Sequence, residues 1–113
     1  MTGSALDRSR LAVLVTEVGP AATGVMVDHF VEMLAGRITR LRRAVESGEG
    51  LRDVSLSLAC SAEMLGALAL ADAATRCRTA QGAGVERALA EVEALAGPTC
   101  HALRGARAAL SGR

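Results

Sequence analysis

The chain has 113 residues and one aromatic side chain, Phe30; it contains neither Trp nor Tyr. A core with so little aromatic volume is thin and is filled by Leu, Val and Ala. Each fully buried Leu or Val then contributes roughly 1.5–3 kcal/mol. Ile and Thr are also few, which argues against strands. Charge of one sign is absent: 13 basic residues face 12 acidic ones, leaving a net charge of +1. A clearly basic patch usually underlies nucleic-acid binding, so none is expected here. Long apolar runs are missing too. None reaches the roughly 18 residues of a membrane span, so no membrane insertion is expected.

Cys60, Cys77 and Cys100 show no CxxC or Cys/His spacing. With no basic-then-apolar leader at the N-terminus, the odd count points to free thiols in a reducing cytoplasm. Cys77 and Cys100 read as small buried residues. The sequence contains no phosphate loop, no His-Glu metal pair and no nucleophile triad. We therefore expect no enzyme activity, no cofactor and no metal.

What is present is helix-forming. Half the residues are apolar, and Ala, Leu, Arg, Glu and Val dominate, the composition of a helical bundle. At this length, residues 1–113 form a single domain. Met1 to Ser4 read as a loose end, and Ser4 or Asp7 suits the cap of a short first helix. Leu6, Leu11, Leu14, Val15 and Val18 form the apolar side of that helix. Gly19-Pro20 stops it, and Pro20 suits the first turn of the next helix. A second helix from about Pro20 to Glu46 carries Val27, Phe30, Val31, Leu34, Ile38, Leu41 and Val45 at near-heptad spacing. Gly24 and Gly36 inside it read as close-packing points. Arg37, Arg40, Arg42 and Arg43 form a basic cluster that reads as a solvated face.

After the turn Ser47-Gly48-Glu49-Gly50, a third helix spans Leu51 to about Gly66. Leu51, Val54, Leu58, Ala62 and Leu65 give its buried stripe. Off that stripe, Leu56, Cys60 and Met64 recur at i, i+4 and i+8, with Asp53 and Glu63 close by. A fourth helix runs from about Ala67 to Ala80. It is Ala-rich and suited to close packing, with Leu68, Leu70, Ala73, Ala74 and Cys77 as its apolar positions. A last helix covers about Val85 to Leu110. Its stripe is Val85, Leu89, Val92, Ala96, Thr99, Leu103, Ala106 and Leu110, and Pro98 should kink or split it. Ser111 to Arg113 trail off. The fold class is all-α: an antiparallel four-helix bundle with a short N-terminal capping helix.

The stretch LRDVSLSLACSAEMLGA, Leu51 to Ala67, resembles the phosphotransfer helix of histidine-containing phosphotransfer (HPt) domains. Their motif reads roughly His-x-Leu-Lys-Gly-Ser, some three variable residues, then Leu-Gly-Ala. Leu58, Ser61, Leu65, Gly66 and Ala67 match it, and Met64 is common before that Leu-Gly. The Phe30 segment and the long Leu- and Arg-rich arm after it also fit. The register places Leu56 at the family's phosphorylated histidine, Ala59 at its lysine and Cys60 at its glycine.

The resemblance implies a histidine that takes a phosphoryl group from a receiver aspartate, with a lysine nearby to stabilise negative charge. Leu56 has no lone pair to offer, and Ala59 has no charge. The implied function is therefore a non-catalytic module of two-component signalling. It would dock on a receiver domain of a response regulator, or on a sensor histidine kinase, through Leu56, Cys60, Met64, Asp53, Ala59 and Glu63. Two other readings remain open. His29 or His101 would serve as the phospho-acceptor of an active phosphotransfer protein, although neither lies in the motif. Alternatively the apolar face is covered by the first helix, or by a second copy in a homodimeric structural bundle. Cys60 has no His or Lys one turn away to activate its thiol, and Glu63 works against it.

Overall fold

The computed structural model describes residues 6–111, with the side chain of Ser111 excepted. The expected loose ends, Ser4 as a cap and the final Gly112-Arg113 lie outside the described residues. Five helices make up the described chain: α1 (Arg8–Val18), α2 (Pro20–Ser47), α3 (Leu51–Met64), α4 (Leu68–Thr79) and α5 (Ala83–Ser111). No strand occurs among the described residues.

α2 has 28 residues and α5 has 29. At about 1.5 Å per residue each reaches roughly 42 Å, nearly the full 47 Å length of the molecule. α3 and α4, with 14 and 12 residues, are about half as long. α3 packs on α4, α4 on α5, α5 on α2 and α2 on α3, and α1 lies against α2 and α3. The core runs along the axis of this ring. Leu34, Leu41, Leu58, Leu70, Leu89 and Leu103 are its largest fully buried side chains, and Phe30 lies beside them.

The α1 start is set by Asp7, whose carboxylate accepts from the Ser9 amide at 3.0 Å and the Ser9 hydroxyl at 2.6 Å. These bonds satisfy donors that the helix leaves unpaired, and they lower the Asp7 pKa, the Ser9 hydroxyl bond foremost. Gly66 ends α3 region by turning the chain with φ at +85°. Its carbonyl accepts from the Asp7 amide at 2.7 Å, and the Ala67 amide donates to the Ala62 carbonyl at 2.8 Å. The N-terminal segment is thereby tied to the α3–α4 turn, with Leu6 buried beneath it.

Four expectations are corrected. Gly36 is exposed, and a Cβ there would meet open space, so it is no packing point. Gly24 is buried and does serve as one. A Cβ on it would strike the Arg107 guanidinium of α5, which pairs with Asp28 at 3.2 Å. α5 stays one helix through Pro98. Pro98 and Ala94, whose carbonyl loses its usual partner, are both exposed, so water can replace the missing N–H. Val18 is exposed, because 11-residue α1 reaches the core only with Leu11 and Leu14. Cys100 is half-buried, whereas Cys77 is fully buried.

The basic cluster also divides. Arg42 donates two bonds to Glu93 of α5, each at 2.8 Å, so it ties two helices together while its side chain stays 43% exposed. Arg37 donates to the Ser57 hydroxyl of α3 at 2.9 Å. Arg40 and Arg43 are exposed.

Two buried threonines contrast. Thr23 donates its hydroxyl to the Gly19 carbonyl at 2.8 Å. Thr99 is equally buried, and its Oγ1 has no hydrogen-bond partner among the described residues. An orphan buried hydroxyl costs about 1–3 kcal/mol, whereas an apolar group of the same shape costs nothing comparable. Thr99→Val therefore stabilises the fold, by about 1 kcal/mol, read as a higher urea midpoint at unchanged slope. A lower midpoint would show that the hydroxyl is satisfied, for instance by a trapped water.

Candidate functional site

α3 begins after Gly50, with Asp53 in its first turn, where a carboxylate suits the helix N-terminus. Its inward arc buries Leu58, Ala62 and the following Leu65, as the apolar spacing predicts; Leu51 and Val54 are half-buried against the core. The arc extends further than one stripe, because α3 is flanked by both α2 and α4. Ser55 is buried and Ala59 is 7% exposed, packed in the core. Ala59 is therefore corrected from a surface contact residue to a core residue. It lacks the reach that a lysine would have from the same backbone position.

The other expected site residues come together on the open side of α3. Leu56, in the middle of the helix, is 44% exposed, and Met64 is 51% exposed. Cys60 between them is exposed, as are Asp53 and Glu63. Glu63 makes a loose ion pair with Arg10 of α1 at 3.9 Å. α1 does not cover the row, so the expectation that the first helix shields it is set aside.

A trough of about 550 Å³ runs beside this row, between α2 and α3. Buried Phe30 and Leu65 form its floor. Val25, His29 and Met33 of α2 line one side, and Ser61 and Met64 of α3 line the other. Arg37 and Arg40 stand at one end, where they also border a smaller hollow of about 160 Å³ with Asp53 and Ser57. Met33 is 42% exposed and Val25 is 64% exposed. Exposed apolar side chains thus stand on both helices, Leu56 and Met64 on α3 and Met33 and Val25 on α2, and of these Met64, Met33 and Val25 border the trough.

Sequence reasoning missed the α2 half of this surface. The signal was present: Val25, His29 and Met33 recur at i, i+4 and i+8 off the buried stripe, the same spacing as Leu56, Cys60 and Met64. His29 is exposed on the trough wall, whereas His101 is exposed on α5 beside Cys100 and away from the trough. Among the described residues no three His, Cys, Asp or Glu side chains group so as to hold a metal ion. No helix of the described residues is long and apolar enough to cross a membrane.

The thiols differ sharply in environment. Burial pushes the Cys77 thiol up to about 11, so near neutral pH it carries almost no thiolate, the reactive form. Cys60 is exposed. In the native protein a disulfide reagent at pH 8 should label Cys60 rapidly and Cys77 only after denaturant is added. Equal labelling of Cys60 and Cys77 without denaturant would contradict the buried placement of Cys77.

Comparison with protein-family models, with curated proteins and with solved structures finds no match.

Proposed function

We propose that the chain is a non-catalytic HPt-like module of phosphorelay signalling. It docks on a receiver domain or a sensor histidine kinase and carries no phosphate itself. One observation carries the reading: Leu56, at the register of the family's phospho-histidine, lies mid-helix on an open face, in line with Cys60 and Met64. Exposed apolar groups gathered on one face of a rigid helical scaffold mark contact with a partner. The pairing of α2, α3, α4 and α5 in a closed ring supports an antiparallel four-helix bundle, the architecture of the HPt family.

The chemistry of the face fits docking without transfer. A phosphoryl acceptor needs a lone pair, and the leucine side chain has none. A leucine in place of a histidine keeps contact area while removing the nucleophile. Ala59 adds no cation to steady a transferred group, and its methyl group is packed in the core. The module would then occupy a receiver or kinase surface and block, buffer or scaffold the relay.

The test is calorimetric titration of the chain against purified receiver domains and kinase dimerisation domains from the same genome. Binding of at least one of them at micromolar affinity is expected. Absence of binding across the whole set would sink the reading. A second copy of the chain is the competing occupant of the same apolar face. A mass that stays monomeric in light scattering up to high micromolar concentration separates the two.

A further inference from the structure

We propose that the trough between α2 and α3 binds a free single-chain carboxylate, its alkyl chain lying along the Phe30–Leu65 floor and its carboxylate held by Arg37 and Arg40. This goes beyond the docking function and does not rest on it.

Dimensions favour a slender occupant. Val25 and Arg40 mark the two ends of the trough on α2 and are about 22 Å apart at the helical rise. A volume of about 550 Å³ spread over that length makes the trough a long groove and not a round cavity, a shape that an extended alkyl chain follows end to end. The volume also falls in the range of small-ligand sites, which are mostly apolar with a few placed polar groups, roughly 300–1,000 Å³. Met33 and Met64 face the chain from opposite walls. Their unbranched, polarizable side chains adapt to an irregular hydrocarbon better than branched ones do.

Charge sets the orientation. Among the described residues Arg40 makes no hydrogen bond or ion pair, and Arg37 donates only to the neutral Ser57 hydroxyl. Arg42, in the same cluster, is already committed to Glu93. Two guanidinium groups thus stand at one end of an apolar channel with one carboxylate, Asp53, beside them. The balance is one positive charge in excess, matched to a single carboxylate through charge-assisted bonds. The opposite end, at Val25 and Met26, carries no charged lining residue. An amphiphile therefore has one favourable direction in the trough.

The experiment uses octanoate, dodecanoate and hexadecanoate as monomers below micelle formation, with dodecylammonium as the charge control. Methyl-labelled methionine reports the site by NMR, and calorimetry gives affinity. Dodecanoate should shift Met26, Met33 and Met64 saturably with one-to-one stoichiometry. Affinity should rise with chain length, by up to about fourfold per buried methylene, and level off once the trough is filled. The double variant Arg37→Gln/Arg40→Gln, at surface positions that leave the core intact, should weaken dodecanoate at least tenfold. Dodecylammonium should bind at least tenfold more weakly than dodecanoate. Any of four results overturns the proposal: no saturable shift at these methionines, equal binding of dodecylammonium, unchanged affinity in the double variant, or burial of the trough in a dimer. Sedimentation with phosphatidylglycerol vesicles, in the absence of monomer binding, also overturns it and assigns the face to a membrane surface.

Discussion

Leu56→Asp should remove binding to the receiver or kinase partner proposed above and leave the fold as it was. The expected loss is at least a hundredfold, equivalent to about 3 kcal/mol at an apolar contact that dominates an interface. Two terms add. The leucine contact area is lost, and a carboxylate must be desolvated against an apolar partner surface with no cation aimed at it. Stability changes little, because Leu56 is half exposed and outside the core; a surface substitution of this kind stays within about 0.5 kcal/mol. Thermal melting and circular dichroism check that side. Ala90→Asp, at another exposed helical position, on α5, controls for adding a charge. If Leu56→Asp retains affinity, the α3 row is not the docking face. If Ala90→Asp also abolishes binding, the effect is general to added charge.

Gly66→Ala should be among the most damaging single changes in the chain. The backbone there has φ at +85°, a region that costs an L-residue of order 1–2 kcal/mol. A methyl group at this position would also drive into the Asp7 carbonyl oxygen and lie 3.2 Å from the Arg10 Cβ. The Asp7 amide bond to the Gly66 carbonyl is lost if the N-terminal segment gives way. Together these give a loss of about 3 kcal/mol, a drop of roughly 10–20 °C in melting temperature for a domain of this size. Hydrogen exchange tells which element yields: early exchange at the Asp7 amide with α3 protected means that α1 lets go first. Gly36→Ala is the matched control. Gly36 is helical, exposed and surrounded by open space, so the same substitution there stabilises by about 1 kcal/mol through helix propensity. Equal effects at the two positions would contradict the backbone geometry at Gly66.

Much of the fold was legible because each long helix repeats its large apolar residues at intervals of three and four. Val27, Phe30, Leu34, Ile38 and Leu41 were read from spacing alone and are all buried, as are Leu89, Val92, Leu103 and Ala106. Small residues were less legible. Ala59 and Ser55 carry little periodic signal, and their burial follows from α3 having neighbours on two sides, which is a tertiary fact. Gly36 and Gly24 look alike in sequence. Only the approach of Arg107 from α5 makes one of them a packing point. Pro98 was expected to kink or split α5; the helix is not split, because the exposed position lets solvent take over the lost hydrogen bond. At the candidate site, the α3 row was found from its departure from an ordinary charged face. The matching row on α2 was overlooked because His29 divides Val25 from Met33 and hides the apolar trend. Which of the four clustered arginines lack a partner depends on Glu93 and Ser57, both remote in sequence.

The claim that this chain docks without accepting phosphate is tested most directly by gel filtration with a receiver domain carrying a labelled aspartyl phosphate. The account predicts co-elution of the two proteins with no label on this chain, whether His29 and His101 are intact or replaced by alanine. Label that appears on this chain and disappears in His29→Ala or His101→Ala would contradict it and make the protein a working phosphotransfer domain.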